Sequence, residues 1–438
     1  MKPLLRSLKK TIPQRSPLRL AWHQGKALAA ALLYGFPARR LTIISVTGTD
    51  GKTTTVGMVT HILTTTGIKT GALSTAFLQV EKEREWNATQ KTSPSPFLIQ
   101  KFLRRLVSAG CTHAVLEVSS HGLVQKRLNY TWPLVGAVTN VTPEHLDYHG
   151  TLEQYRRDKG LLFHMIRPGG TKILNRDDES VKFYEQIPTA RTLTYGHTET
   201  ADLWISDVRT SLTETRARLH SKTNGQGAMN DLVLTLPGSF NLDNACCAIT
   251  CAQTVNIPVE RAVESLRSFT GIAGRMERID EGQSFAVFVD FTVTPAAYEK
   301  TLKTLRTMLP EENRILVLTG SCGDRMREKR PIVGRLCSEL ADVVVVTNED
   351  PYTEDPEKII EEVWAGVDQS KTEAHKIFDR KEAMALLFSQ ANPGDAVILC
   401  AKGSDTTMMT AEGQIPWNER EIARELLRSN HTSKQASA

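Results

Sequence analysis

Seven residues, Gly48-Thr49-Asp50-Gly51-Lys52-Thr53-Thr54, could grip a polyphosphate. They follow the apolar run Ile44-Ser45-Val46 and lead into a helical period. In such a loop, backbone N–H groups and a lysine face phosphate oxygens, and a threonine hydroxyl faces Mg²⁺. The usual spacing wants a glycine six residues before the lysine, and Val46 stands there. Farther along, Glu117 closes the apolar run in AVLEVSSHGL, where a carboxylate beside a phosphate loop could hold Mg²⁺ directly or through water. TNVTPEHLDYHG then supplies Asn140, His145, Asp147 and His149. A loop histidine is a less expected neighbour for a hard cation.

These residues need elements to hold them. From residue 41, apolar strands alternate with helical periods, the mark of a parallel α/β sheet. LTIISVTG and HAVLEVSS read as strands; GKTTTVGMVTHILTTTG and SPFLIQKFLRRLVSAG read as helices. A polar stretch over about 200–236 alternates as β structure does, and LPGSFNLDNACCAITCA begins another helix. A second alternating unit starts near Phe285, with FAVFVDF, RILVLTGSCG, ADVVVVTNEDP and DAVILCAKGS as four strands ending in polar or glycine residues. Open α/β sheets bind ligands at the carboxyl ends of their strands, so a second half-site is expected at those four ends. The boundary is expected near TGIAGRMER, which gives a basic leader over 1–40, a central domain over 41–272 and a C-terminal domain over 273–438.

With 438 residues there is ample chain for sizeable cores. Seven scattered cysteines without C-x-x-C pairs suggest a reducing compartment, so a cytoplasmic location is expected. Cys246 and Cys247 read as core filler in their Ala-rich stretch. No apolar run reaches the length of a spanning helix; ALAAALLYGF at 27–36 is too short. The net charge of +5 is unevenly placed, because no Asp or Glu precedes Asp50 while Lys2, Arg6, Lys9, Lys10, Arg15, Arg19, Lys26, Arg39 and Arg40 do. This leader reads as a solvated basic tail running into a short helix, or as a segment drawn to an anionic membrane surface or an anionic substrate. Nucleic acid is not expected as a partner, since no recognisable reading module accompanies the charge.

Taken in order, GTDGKTTT, EVSSHGL, TNVTPEHLDYHGTLEQYRRDKGLLF, GSFNLDNACCA, GRME, GSCGDRMREKRP, TNEDPYTEDP and PWNEREIAREL resemble the Mur ligases, most of all the branch that adds the third residue of the peptidoglycan stem peptide. The resemblance implies a central P-loop ATPase domain with a parallel sheet, plus a C-terminal Rossmann-like Mur ligase domain. It also accounts for the short loop spacing. It further implies an ATP-dependent, ADP-forming ligase that joins an amino acid to a muramyl-peptide-like carboxylate through an acyl phosphate, with ATP and Mg²⁺, as a monomer.

Site residues follow from the same resemblance. Lys52 would hold the β- and γ-phosphates, Thr53 would sit on Mg²⁺ and Thr54 near the α-phosphate, with Gly48, Thr49, Asp50 and Gly51 completing the loop. Glu117 and His145 match metal ligands, and Lys159 matches a lysine that the family carbamylates, turning a cation into a metal-binding anion. Lys52, Lys159 and His145 are thus the expected catalytic residues. Asn241 and Asn244 match the segment beside the adenine, while Arg275 and Asp290 match groups near phosphates and ribose. Thr92, Ser93, Ser119 and His121 match contacts to the acceptor; by local chemistry alone, Thr92 and Ser93 could cap a helix before Pro94.

Five departures set this chain apart. Only about forty residues precede the loop, where the family carries a UDP-sugar-binding domain of roughly a hundred residues, which opens a UDP-free acceptor, lipid-linked or polyglutamate, as an alternative. Asp50 replaces an asparagine, and Val293 replaces a histidine before Thr294-Pro295; together they raise a second alternative, a non-catalytic binding protein. Glu349-Asp350-Pro351-Tyr352 replaces Asp-Asn-Pro-Arg, so Tyr352 cannot pair with a distal carboxylate and meso-diaminopimelate is disfavoured. Ala401-Lys402-Gly403-Ser404-Asp405 replaces Gly-Lys-Gly-His-Glu, and Asp405, like Asp350, is expected to face the amine.

Overall fold

A computed structural model describes residues 15–222 and 228–436, so Lys2, Arg6, Lys9 and Lys10 of the leader lie outside the described residues. The chain divides into two units: Met1–Arg209 with Arg216–Leu234 and Phe240–Phe269, and Thr210–Thr215 with Thr235–Ser239 and Thr270–Ala438.

In the first unit, helix α1 (Pro17–Leu33) starts at Ser16, whose hydroxyl accepts from the Arg19 N–H. It is longer than the short helix expected of the leader, because alanines at 27, 30 and 31 give it a small-residue face that buries fully. Strand β1 (Thr42–Thr47) follows, with Ile43, Ile44 and Val46 fully buried. The remaining strands are β2 (Thr70–Leu73), β3 (Phe77–Val80), β4 (Glu83–Trp86), β5 (His113–Glu117), β6 (Val135–Val138), β7 (Thr171–Asn175), β8 (Arg191–Gly196), β9 (Leu203–Thr210), β10 (Thr215–Ser221) and β11 (Ala228–Leu234). They form one sheet in the order β11-β10-β9-β8-β7-β6-β1-β5-β2-β3-β4.

Strand β1 lies parallel between β5 and β6, with Val46 opposite Glu117 and Thr47 opposite Val138. The chain steps from β1 out to β2, returns to β5, then crosses β1 to reach β6. That reversal makes the carboxyl end of β1 a topological switch point, where open α/β sheets leave a crevice. Helix α2 (Lys52–Thr65) leaves this point directly. Against it packs α3 (Phe240–Gln253), whose Ala245, Cys246, Cys247 and Ala248 are small enough for close approach and are buried.

The second unit holds β12 (Glu277–Ile279), β13 (Ala286–Val289), β14 (Ile315–Thr319), β15 (Val343–Val346), β16 (Glu373–Lys376) and β17 (Ala396–Leu399), in the order β12-β13-β17-β14-β15-β16. All but the edge strand β12 run parallel. Val343–Val346 is buried along its whole length, as a strand covered on both faces requires. Parallel strands bring Asp290, Gly320, Thr347 and Cys400, each the residue after its strand, to one edge of the sheet. The α/β class with a parallel-rich sheet is therefore as the sequence indicates.

Candidate active site

The loop after β1 is built for close backbone approach. Gly48 has φ +147°, and a Cβ there would fall 1.8 Å from Thr139 Oγ1. Gly51 has φ +80°, and a Cβ there would fall 2.1 Å from Asn244 Oδ1. Side chains would be both strained and obstructed, so the backbone stays bare. The loop is also pinned: the Thr49 N–H donates to the Asn140 carbonyl at 2.8 Å, the Asp50 N–H to Asn140 Oδ1 at 3.0 Å, and Thr139 Oγ1 to the Asp50 carbonyl at 2.6 Å. Asn241 and Asn244 meet at 3.2 Å in the first turns of α3, and Thr55 Oγ1 reaches Asn244 Oδ1 at 3.3 Å.

Two lysines hang on the same loop. Lys52 Nζ donates to the Thr49 carbonyl at 2.7 Å, and Lys159 Nζ to the Gly48 carbonyl at 2.6 Å. A helix over Leu152–His164 carries Lys159, which is buried beneath the loop 4.4 Å from the Tyr155 ring centroid. Burial, and then the nearby Lys52 charge, hold the Lys159 pKa well below the ordinary lysine value.

Glu117 is buried at the end of β5 and gathers donors from three directions. Thr53 Oγ1 stands 3.1 Å from both of its carboxylate oxygens. Ser74 Oγ and the Thr75 N–H reach Oε2 at 2.8 and 2.7 Å, and Thr75 Oγ1 reaches Oε1 at 2.9 Å. A carboxylate and a hydroxyl so placed are hard oxygen donors, suited to Mg²⁺ with phosphate and water as further ligands. Among the described residues no cluster of three or more His, Cys, Asp or Glu could hold a metal. His145 sits in the left-handed region with a half-exposed side chain, its ring centroid 5.1 Å from that of His121.

The expected acceptor residues lie around the same strand ends. Thr75 Oγ1 donates to Thr92 Oγ1 at 2.8 Å, and Ser93 Oγ accepts from the Ser119 N–H at 3.0 Å. The helix cap proves to be Ser95, which accepts from the Leu98 N–H ahead of Pro96, so Thr92 and Ser93 are not its caps. Ser119 instead caps the short helix Ser120–Val124 through the Gly122 N–H. His121 lies 4.0 Å from Tyr148, centroid to centroid.

Two features here had no role assigned from sequence: Arg127, which was not singled out, and His149, which was named without a partner. Arg127 is largely buried, with Nη1 on the Ser93 carbonyl at 2.5 Å and Nε and Nη2 on Gln125 Oε1, partners that are all neutral. Burial lowers its pKa, and its place in EVSSHGLVQKR was the available signal. His149 is also buried, bonded through Nε2 to Ser120 Oγ at 3.0 Å and through Nδ1 to Asp158 Oδ2 at 2.5 Å. Asp158 also accepts from Arg15 Nη1 at 2.9 Å and Gln154 Nε2 at 3.0 Å. These bonds outweigh burial and lower its pKa.

In the second unit, Asp290 follows β13 and accepts from the Met276 N–H at 2.7 Å and from the Thr292 hydroxyl. Burial raises its pKa, with Thr292 and Arg275 opposing. Arg275 lies 4.6 Å over the Phe291 ring, and its buried Nε has no partner. The Val293 carbonyl accepts from Lys329 Nζ at 3.1 Å, so a cation the sequence reading did not single out stands beside the substituted position. Thr294 caps the helix Pro295–Met308.

An acidic cluster follows β15 and β17. Lys402 Nζ is buried against Asp350 Oδ1 at 2.7 Å and lies 3.8 Å from Asp405 Oδ2. Asp350 Oδ1 also accepts from the Met409 N–H at 2.8 Å. Burial pushes Asp405 up to about 6, with Lys402 opposing. Glu349 is likewise pushed up to about 6, by burial and then by repulsion from Asp350. Tyr352 has φ +51°, and the Arg325 guanidinium lies 5.4 Å from its ring centroid.

The class of the chain comes from its homologues, which are ATP-dependent, ADP-forming ligases. Residues 46–252 match the Mur ligase middle domain and residues 274–403 the Mur ligase glutamate ligase domain. UDP-N-acetylmuramyl-tripeptide synthetase of Roseiflexus sp. (strain RS-1) is 38% identical over 417 residues, covering 91% of this chain and 81% of that protein. UDP-N-acetylmuramoyl-L-alanyl-D-glutamate--2,6-diaminopimelate ligase of Geobacillus kaustophilus (strain HTA426) is 34% identical over 404 residues, covering 91% and 81%. A solved structure of a ligase with that same name superposes with a TM-score of 0.65 at 28% identity, covering 89% of this chain and 79% of that one. MurF ligase from Thermotoga maritima shares the fold alone, with a TM-score of 0.65 at 18% identity over 93% and 84%. The chain belongs to the Mur ligase family, ATP-dependent peptide ligases that add amino acids in peptidoglycan precursor synthesis. The family uses ATP and Mg²⁺. Its homologues act on small molecules, and no helix among the described residues is long and apolar enough to cross a membrane.

Proposed function

We propose that this chain joins a basic amino acid to the carboxylate of a muramyl-peptide-like acceptor in the cytoplasm. The loop at 48–54 binds the ATP phosphates, with Lys52 turned from the Thr49 carbonyl toward the β- and γ-phosphates. Asn241 and Asn244 are taken as the adenine-side residues, and Arg275 and Asp290 as phosphate- and ribose-side residues. Thr53, Glu117, His145 and a carbamylated Lys159 would hold Mg²⁺, which when bound neutralises phosphate charge during phosphoryl transfer. Burial lowers the Lys159 pKa and so favours the neutral amine, the form that adds to CO₂, which supports the carbamate.

The acceptor is held at Thr92, Ser93, Ser119 and His121, with Arg127 pairing a carboxylate because its present partners carry no charge. An acceptor carboxylate oxygen takes the γ-phosphoryl group from ATP as ADP leaves, the free amine attacks the carbonyl carbon, and the bridging oxygen departs with phosphate as the amine loses a proton. Glu349 and Asp405 receive the distal ammonium; Asp350 already serves Lys402. Tyr352 and Arg325 border that pocket.

The observation that carries this reading is the Thr53–Glu117 pair beside a loop whose Thr49 and Gly48 carbonyls hold Lys52 and Lys159. Its test is ADP release by the purified chain, with UDP-linked and UDP-free muramyl dipeptides each combined with lysine, ornithine or meso-diaminopimelate. ADP release that requires both an acceptor and a basic amine is expected. ADP release indifferent to either would overturn the proposal.

A further inference from the structure

We propose that the outward face of α1 docks on an anionic lipid bilayer. The helix is amphipathic in an inverted sense. Every exposed position on it is apolar, carried by Leu18, Trp22, Leu28, Leu32 and Leu33 with small residues between them. Leu18 is 71% exposed, Trp22 61%, Leu32 61% and Leu33 68%, too much for residues that merely edge a core. The inward face carries the fully buried Ala27, Ala30 and Ala31, and Gln24 turns inward with them, donating to the Tyr130 hydroxyl at 2.6 Å and accepting from Asn129 Nδ2 at 2.6 Å. A contiguous apolar face of this kind on a soluble surface marks an interaction site.

Charge selects the occupant. No acidic residue precedes Asp50, whereas nine basic residues do. Arg19 and Lys26 lie on one flank of the apolar face, and Arg39 follows the helix, its guanidinium 4.7 Å from the Phe36 ring. An apolar helical face bearing a tryptophan, with basic residues beside it and none acidic, has the make-up of an interfacial helix. Leucines and the indole enter the acyl boundary while cations meet lipid phosphates, and each basic side chain near the surface adds to binding. A protein partner of ordinary surface would not require an acid-free segment.

The test is sedimentation of the full chain with vesicles of phosphatidylcholine alone or with about 30% phosphatidylglycerol. Binding at least about fivefold stronger to the anionic vesicles, weakened by salt, is expected. The double variant Leu32→Glu/Leu33→Glu should lose it while keeping ADP release and melting temperature, and the milder Trp22→Ser should lose part of it. Equal binding to both vesicles, or binding unchanged in both variants, would overturn the proposal. So would a drop in oligomeric mass in the variants without lipid binding by the parent chain, which would assign the face to a second copy.

Discussion

Thr53 Oγ1 bridges both oxygens of Glu117 at 3.1 Å, tying the first turn of α2 to the end of β5. The two residues are 64 apart in sequence and meet only because β5 pairs with β1 in parallel register. Replacing Glu117 with glutamine keeps its shape and several hydrogen bonds but removes the charge a cation needs. Glu117→Gln should lower kcat on the order of 100-fold with little change in melting temperature. Steady-state ADP release beside a thermal melt checks this; an unchanged kcat in the folded variant would contradict it.

Lys159 supplies a second prediction. Its amine lies buried and neutral-leaning beneath the Gly48 carbonyl. Stripping CO₂ and bicarbonate should slow the enzyme several-fold, and returning bicarbonate should restore it. Lys159→Ala should be slow and indifferent to bicarbonate. Intact-mass measurement of the parent chain at mildly alkaline pH should find the carbamate adduct.

Glu349 should trade stability for use of the amine. Its pKa is raised to about 6 from 4.5, so the fold favours the protonated carboxyl. The resulting stabilisation is present at low pH and lost as pH rises through about 6. Glu349→Gln should therefore be more stable than the parent at neutral pH by about 2 kcal/mol, at ~1.4 kcal/mol per pKa unit. The gap should shrink as pH falls toward 4.5. The variant should also raise KM for the amine, and in the parent that KM should rise below about pH 6, where Asp405 protonates too. Urea melts across pH and amine titrations check both parts.

Asp158 has the opposite sign. Held below its ordinary value by His149, Arg15 and Gln154 against the pull of burial, it stabilises the fold above pH 3.8, and this is lost as pH falls through its folded value. Asp158→Asn should cost about 2 kcal/mol at neutral pH, because it takes the charged acceptor from buried His149 and breaks the ion pair to the half-exposed Arg15. Denaturant unfolding at neutral and acid pH measures the difference, which should vanish at the acid end.

Much of this architecture was legible in sequence because its signals are local. Val343–Val346 can only be a strand covered on both faces, and glycines at 48 and 51 mark backbone that must stay bare. The Ser95 cap was one residue pair away from the expected one, since two Ser-Pro steps stand side by side and local chemistry cannot choose between them. The Arg15–Asp158 bond joins residues 143 apart and rests on tertiary packing, which no periodicity encodes. Arg127 was hidden by its company, because a basic residue after Lys126 reads as solvated surface until burial is seen. The inverted face of α1 was hidden likewise: apolar and polar positions alternate correctly for a helix, but which side faces inward is decided by its packing partner.

The most direct test follows one oxygen. An acceptor carrying oxygen-18 in its carboxylate, turned over with ATP and a basic amine, should deliver a single labelled oxygen to the released phosphate. That result requires a bond between the acceptor carboxylate and the γ-phosphorus, as the account holds. Phosphate free of label, with amide product still formed, would contradict it.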